Sequence, residues 1–379
     1  MKQLISKIKS RYQISYNRNF TIDALRALAI ILMTFVHTRM YTYTHTNSIW
    51  VIDKLSDFGG NIAYSLFLFC FGYGLYFSLL SKKNNSSHKK NWKRFWYLLS
   101  LYYLISFIGY FAMITSEIRI VGADFDKIVS HPNFWQWISE DLISILSGKR
   151  IVYLVDFLIS FPLILLISLT LKRIIQLIVK SDWYIYFFSL TFLLIAYFVY
   201  KLTTASGFGS FFWGYGDMHY FPVLFYFIIF LLGARWALID THASTKYKSK
   251  WLLKNFFIFL ILGLISNVFQ DFERFTPSIP FLSYGISVIL GTLLIINLCV
   301  ITYKYMRENG MKTIRKHKIY KSINSIQSVL YYIGQNSLKV FIIHTVFIYI
   351  YIATTQPIYD VWYNSIIIWF LSLATALLI

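Results

Sequence analysis

Long apolar runs alternate with short polar segments along most of the chain. Ten of these runs approach the length of about 20 residues that a helix needs to cross a bilayer. They lie at about 21–41, 58–80, 95–115, 151–171, 184–200, 220–239, 252–270, 281–303, 335–353 and 361–379. The pattern predicts an all-α fold, a polytopic membrane helical bundle of about ten transmembrane helices.

One further stretch, 131–148, is apolar on average but too polar to span a bilayer. Its two tryptophans, Trp135 and Trp137, are typical anchors at a membrane–water interface. We predict an interfacial or re-entrant helix here.

Composition supports the membrane assignment. The 379 residues are 57% hydrophobic and only 14% charged, whereas a soluble domain carries about a quarter charged residues. The two cysteines, Cys70 and Cys299, both fall in apolar runs. They cannot form a disulfide framework or a metal cluster, so we expect no metal site.

The net charge of +20 is distributed by topology. Most Lys and Arg residues fall in alternate connections, beginning with the segment before the first span, and most acidic residues fall in the others. By the positive-inside rule both termini are cytoplasmic. The charge then serves orientation and contact with anionic membrane lipids rather than nucleic acid. Residues 1–20 form a predicted cytoplasmic basic arm, and 21–379 form the transmembrane domain.

The first span carries two ionisable residues, Arg26 and His37, eleven positions apart. In a helix they return to within about 20° of the same face, about 16.5 Å apart along the axis. A charge facing lipid is costly, so this face should meet protein or a water-filled cavity. Alternatively, Arg26 extends to the headgroups and His37 bonds a neighbouring carbonyl.

Two other spans carry ionisable groups at comparable depth. His344 lies near the middle of the ninth span, and Asp156 lies in the outer part of the fourth. A neutral imidazole can take a proton from a hydroxyl that attacks an ester or thioester, and a carboxylate can orient that imidazole. These groups and His37 could therefore form a catalytic set. Equally, His344 could make an interhelical hydrogen bond, and Asp156 could line a pore.

A group of cations lies near the cytoplasmic helix ends. Its members are Arg26, Lys93, Arg94, Arg235 and Lys339. Guanidinium and ammonium groups suit the phosphates of an acyl carrier such as coenzyme A. Each could instead determine topology and contact lipid headgroups.

The outer loop before the sixth span combines aromatic and polar residues. Trp213, Asp217 and His219 suit contacts with a sugar ring, although an interfacial aromatic belt has a similar composition. Within the spans, Gly72, Gly74 and Gly233 predict close helix packing or bending.

Four stretches, taken in order and spacing, resemble the acyltransferase 3 family of membrane acyltransferases. They are DALRALAIILMTFVH in the first span, LFLFCFGYGLYFSLL with the following KKNWKRFWYLLSLYYL, FYFIIFLLGARWA in the sixth span, and IGQNSLKVFIIHTVFI in the ninth. The first of these resembles the family's Arg-x10-His helix.

The resemblance implies transfer of an acyl group, usually acetyl, from a cytoplasmic donor to a glycan at or beyond the outer face. It implies that His37 is the catalytic histidine and Arg26 its basic partner in the first helix. Arg94 would belong to the basic pair that opens the third helix, and His344 would be the late-helix histidine.

The sequence thus favours a membrane O-acyltransferase, with acyl-CoA as donor substrate and no permanently bound cofactor. The acceptor would be a hydroxyl of a cell-envelope polysaccharide or a lipid-linked sugar. The expected location is a cell membrane, in bacteria the cytoplasmic membrane. The alternative is a polysaccharide exporter or flippase, which would also need many spans and polar groups near the midplane.

Overall fold

A computed structural model describes nine stretches of the chain, and every regular element in them is a helix. The stretches are 20–42, 50–81, 85–120, 131–147, 156–202, 222–270, 278–308, 328–354 and 362–378. The predicted all-α membrane fold is confirmed in these stretches.

Twelve helices are numbered here in chain order. They are α1 Phe20–Thr42, α2 Trp50–Leu75, α3 Asn85–Ile120, α4 Phe134–Leu146, α5 Ser160–Thr170, α6 Lys172–Ile178, α7 Asp182–Leu202, α8 Val223–His242, α9 Thr245–Ser266, α10 Ile279–Glu308, α11 Ser337–Thr354 and α12 Trp362–Leu378. A π-helical turn, Tyr76–Leu80, continues α2, and a 3₁₀ turn, Asp156–Ile159, leads into α5. Residues 328–335 form a helical segment just before α11.

Within the described stretches, eight helices are long and apolar enough to cross a membrane. The fourth predicted span, 151–171, corresponds in its described part to the 3₁₀ turn and α5, and α6 follows it after a bend of 93° beside Leu171. Counted together, this bent pair would be a ninth crossing of the described stretches. The bend falls where the apolar run ends and Lys172 and Arg173 begin, so α6 lies across the direction of α5. The tenth predicted span corresponds to α12, whose described apolar part, Ile366–Thr375, is shorter than a full crossing.

The stretch that is too polar to span forms a separate short helix, α4. Trp135 and Trp137 on this helix are 67% and 49% exposed. Its length of 13 residues covers about 20 Å, which is too short for the hydrocarbon core. A helix is therefore confirmed at this position, and its place at the interface remains a prediction.

The core is centred on α8, which is apolar around its whole circumference and largely buried. It packs against α2 and α7, while α9 pairs with α10. The approach of α8 to α2 is very close, because Gly72 faces the backbone carbonyl of Phe230 and Gly233 faces that of Phe69. The predicted role of these two glycines in close packing agrees with this contact.

The first helix is surrounded by the late helices. α1 packs against α2, α11 and α12, and α11 packs in turn on α3. At the beginning of α1, Gly334 in the segment 328–335 lies directly against the backbone carbonyl of Asp23. This arrangement places both ends of the first span in contact with residues more than 300 positions later in the chain.

Candidate active site

The face of α1 that carries Arg26 and His37 is turned into the bundle. His37 is 8% exposed, and its neighbours Thr34 and Thr38 are fully buried. The Arg26 side chain is 23% exposed. The helix therefore presents its imidazole to the protein interior, as the cost of facing lipid requires.

A cavity of about 400 Å³ opens beside Arg26, among α1, α2, α3, α5 and the region around the start of α11. Two guanidinium groups, Arg26 and Arg94, line it together with apolar and aromatic side chains. Gln335 adds an amide to the lining, and Phe157 and Phe341 contribute aromatic rings. The cavity thus combines a strongly cationic part with an apolar part.

Arg26 is held in place by contacts within its own helix and with α2. Its guanidinium donates to a carboxylate oxygen of Asp23 at 3.2 Å and to the Cys70 carbonyl at 3.3 Å. A Cβ on Gly74 would lie 3.2 Å from the guanidinium, so the glycine keeps the space beside it clear. These contacts fix the orientation of the Arg26 guanidinium, and part of the group still lines the cavity.

Arg94 lies over an aromatic face at the same cavity. Its guanidinium carbon is 5.2 Å from the centroid of the Phe71 ring, a distance suited to cation–π attraction. The two cations are therefore fixed by different partners, Arg26 by a carboxylate and a carbonyl, and Arg94 by a ring. Neither set of partners uses up all five N–H donors of a guanidinium.

His37 lies against aromatic residues that also line the cavity. Its ring centroid is 6.0 Å from that of Phe341 and 6.5 Å from that of Phe157. These two phenylalanines contact each other edge to face, with centroids 5.1 Å apart. They therefore separate the imidazole from the cationic part of the cavity by a single aromatic layer.

The structure brings the two predicted histidines together. The rings of His37 and His344 are nearly parallel, with centroids 6.1 Å apart. His344 is fully buried, and its Nδ1 lies 2.8 Å from the hydroxyl of Ser372 on α12. An imidazole pair thus lies behind the aromatic end of the cavity.

The other predicted cations lie outside this cavity. Lys93 is exposed, and Lys339 is exposed on a neighbouring groove of about 440 Å³ that Tyr97 and Asn336 also line. Their predicted contact with an acyl donor remains a prediction. The structure places Arg26 and Arg94, by contrast, on one cavity.

Arg235 takes part in a polar junction between α6, α7, α8 and α9. It donates to the Asp182 carboxylate at 2.9 Å and to the carbonyls of Val179 and Lys180 at 3.2 and 2.8 Å. The same carboxylate accepts from the indole N–H of Trp251 at 2.9 Å. These contacts give Arg235 a role in joining helices, because its donors satisfy the carbonyls at the end of α6.

Four predicted site residues cannot be placed by their side chains. Asp156 begins the 3₁₀ turn, but its side chain lies outside the described residues, and its neighbour Phe157 is the ring that contacts His37. Trp213, Asp217 and His219 also lie outside the described residues. Their predicted roles as catalytic partner and sugar contacts stay predictions.

Sequence reasoning did not identify Ser372, Phe157 or Phe341 as site residues. Phenylalanines in apolar spans are too common to stand out among the 35 in the chain. Ser372 carried a weak signal. It is a hydroxyl residue in the last apolar run and lies three positions after Trp369, on the same helical face. Hydroxyls in membrane helices usually bond their own backbone, as Ser168 does here, so that signal alone does not predict a site.

The described fold and site define a multi-pass membrane protein in which two phenylalanines line a cationic cavity and also contact one of a buried pair of imidazoles. A family model described as an acyltransferase domain matches residues 19–379. The chain therefore belongs to the acyltransferase 3 family, and the resemblance noted in the four sequence stretches is confirmed. Comparison with individual curated proteins gives no match. The protein is a membrane-bound acyltransferase that uses an acyl donor and an acceptor.

Proposed function

We propose that the protein transfers an acyl group, acetyl in the simplest case, from cytoplasmic acyl-CoA to a hydroxyl of a cell-envelope polysaccharide or a lipid-linked sugar. The main support for this proposal is that Arg26 and Arg94 line the same cavity as Phe341, whose ring contacts His37. An acyl-CoA donor has anionic phosphates at one end and an uncharged thioester at the other. These two ends complement the cationic part and the apolar part of the cavity.

The cationic part suits the phosphates of coenzyme A. Guanidinium groups bind phosphate through paired, charge-assisted hydrogen bonds, and the positive-inside rule places Arg26 and Arg94 near the cytoplasmic surface. The apolar lining beyond them suits the uncharged arm of the carrier. The thioester would then lie toward Phe157 and Phe341, next to His37.

The chemistry follows from this position. The acceptor oxygen attacks the thioester carbonyl carbon, and His37 takes the hydroxyl proton as the C–O bond forms. The C–S bond breaks, and the imidazolium returns the proton to the departing thiolate. In a two-step variant His37 itself carries the acyl group before the acceptor attacks. The acceptor reaches the histidine from the outer side, where the resemblance places the glycan.

The testing experiment uses inside-out vesicles that contain the protein, with radiolabelled acetyl-CoA supplied outside them. We expect label in envelope glycan, because the donor then has access to the cytoplasmic face. No transfer from acetyl-CoA, succinyl-CoA or other acyl donors would contradict the proposal. Glycan movement that needs no acyl donor would instead favour the exporter or flippase.

Arg94→Ala is expected to raise the KM for the acyl donor by about tenfold, corresponding to one lost charge-assisted phosphate contact of about 1.4 kcal/mol. The initial rate of label transfer at varied acetyl-CoA measures this change. Lys90→Ala is the matched control, since Lys90 is an exposed cation one turn earlier in α3 and is not among the residues that line the cavity. An equal effect of both variants would show that general surface charge, rather than the cavity, binds the donor.

A further inference from the structure

The last two helices meet through a buried polar contact behind the imidazole pair. His344 on α11 and Ser372 on α12 are both fully buried, and the Nδ1 atom of the histidine lies 2.8 Å from the serine Oγ. A hydrogen bond between these atoms can have either group as donor. Which one donates decides the tautomer of His344.

The serine has a second contact that favours one direction. Its hydroxyl donates to the backbone carbonyl of Trp369, one turn earlier in α12, at 2.9 Å. A hydroxyl carries a single proton, and a carbonyl oxygen can only accept. With that proton on the Trp369 carbonyl, the Nδ1 of His344 must supply the proton of the other bond. His344 is then the Nδ1–H tautomer, and its Nε2 bears a lone pair.

The Nε2 atom of His344 is buried and has no hydrogen-bond partner in the part of the chain that the structure describes. A buried acceptor without a partner is costly, by about 1–3 kcal/mol, and such a group calls for an explanation, of which a catalytic role is one. The adjacent ring is His37, at a centroid distance of 6.1 Å. Among the described residues the Nε2 lone pair is therefore left without a structural hydrogen bond, and the ring of His37 lies beside it.

The same turn of α12 also contacts α1. The indole N–H of Trp369 donates to the Thr34 hydroxyl at 3.0 Å, and the indole packs edge to face on Phe35 at 5.4 Å. Thr34 lies one turn before His37 on α1. One turn of α12 thus contacts the helix of each histidine, through Trp369 on one side and Ser372 on the other.

We propose that Ser372 is a positioning residue, which holds His344 as the Nδ1–H tautomer so that Nε2 can accept a hydrogen bond from the protonated His37. The two rings must move closer during transfer for this bond to form, because centroids 6.1 Å apart leave their nitrogens beyond hydrogen-bond reach. The inference rests on the proposed role of His37 as a base. His344 then stabilises the imidazolium by accepting this hydrogen bond, in the position that a carboxylate occupies in a serine–histidine–aspartate triad. No additional proton leaves the site, because His37 returns its proton to the thiolate.

The test combines kinetics with a spectroscopic signature. We expect Ser372→Ala to lower kcat by about tenfold while the donor KM changes by less than about twofold, since the donor site is untouched. Ser372→Thr, which keeps the hydroxyl, should restore most of kcat. Ser168→Ala is the matched control, because Ser168 is equally buried and bonds the carbonyl of Ile164 on its own helix, away from the histidines.

The tautomer is read directly from ¹⁵N spectra of histidine-labelled protein, with the His344 signals assigned by their loss in His344→Gln. We expect the Nδ1–H form in the wild type and a shift toward the other tautomer in Ser372→Ala. A wild-type Nε2–H form, or Ser372→Ala with unchanged kcat, would overturn the inference. A wild type that transfers no acyl group would contradict the proposed function instead, and the spectra would still decide the tautomer.

Discussion

His37→Ala is expected to lower kcat for acyl transfer by about a thousandfold, within the range of 10² to 10⁴ that a positioned general base contributes. The expectation rests on the position of this imidazole, which is buried, next to His344, and one aromatic layer from the cavity that Arg26 lines. The donor KM should change little, because the cationic part of the cavity keeps its geometry. Rates of label transfer in vesicles at saturating donor measure the loss.

Two comparisons make this result specific. His131→Ala removes an exposed histidine that stacks on Trp137, away from the cavity, and should leave kcat within about twofold of the wild type. The thermal midpoint of His37→Ala in detergent should stay near that of the wild type, which excludes misfolding. If the His37→Ala variant kept more than about a tenth of the wild-type kcat, His37 would not be the general base. Label retained on the wild-type protein but absent from His37→Ala would indicate the covalent route.

Much of this site follows from helical periodicity within single segments. The spacing of Arg26 and His37 predicts one shared face on α1, and the structure turns that face into the bundle. Depth within a span predicts that His344 comes to the level of His37, and their rings are neighbours. Both inferences need only the rise and rotation of a helix together with the cost of charge in lipid.

Contacts between distant segments could not be predicted in the same way. Arg235 and the cavity cations look alike in sequence, since each is a cation near a helix end. The partner that distinguishes Arg235 is Asp182, which is 53 positions away. The end of the fourth span at 171 follows from hydropathy, but the 93° bend by which α6 leaves α5 there depends on packing that hydropathy does not reveal.

Gly233→Ala is expected to give the largest loss of stability, because the helices have no room for a side chain at this point. A Cβ there would lie 2.0 Å from the carbonyl oxygen of Phe69 and 2.8 Å from its carbonyl carbon. Both are backbone atoms, so α2 and α8 would have to move apart. Overpacking of a core costs about 1–3 kcal/mol or more, and we expect the upper end here.

The separation would also reach the active site. α2 supplies the Cys70 carbonyl that accepts from Arg26, and Cys70 directly follows Phe69. We therefore expect Gly233→Ala to lower the thermal midpoint in detergent and raise the donor KM in whatever protein remains folded. Gly72→Ala should behave alike, since a Cβ there would lie 2.1 Å from the Phe230 carbonyl oxygen.

Gly263→Ala is the matched control for both glycine variants. It lies inside the membrane helix α9, where a Cβ would come no closer than 3.4 Å to a neighbouring side chain. Alanine favours a helix over glycine by about 1 kcal/mol, so this variant should be as stable as the wild type or more stable. If Gly233→Ala were equally stable, α2 and α8 could not be in backbone contact, and the support that α2 gives Arg26 would need another source.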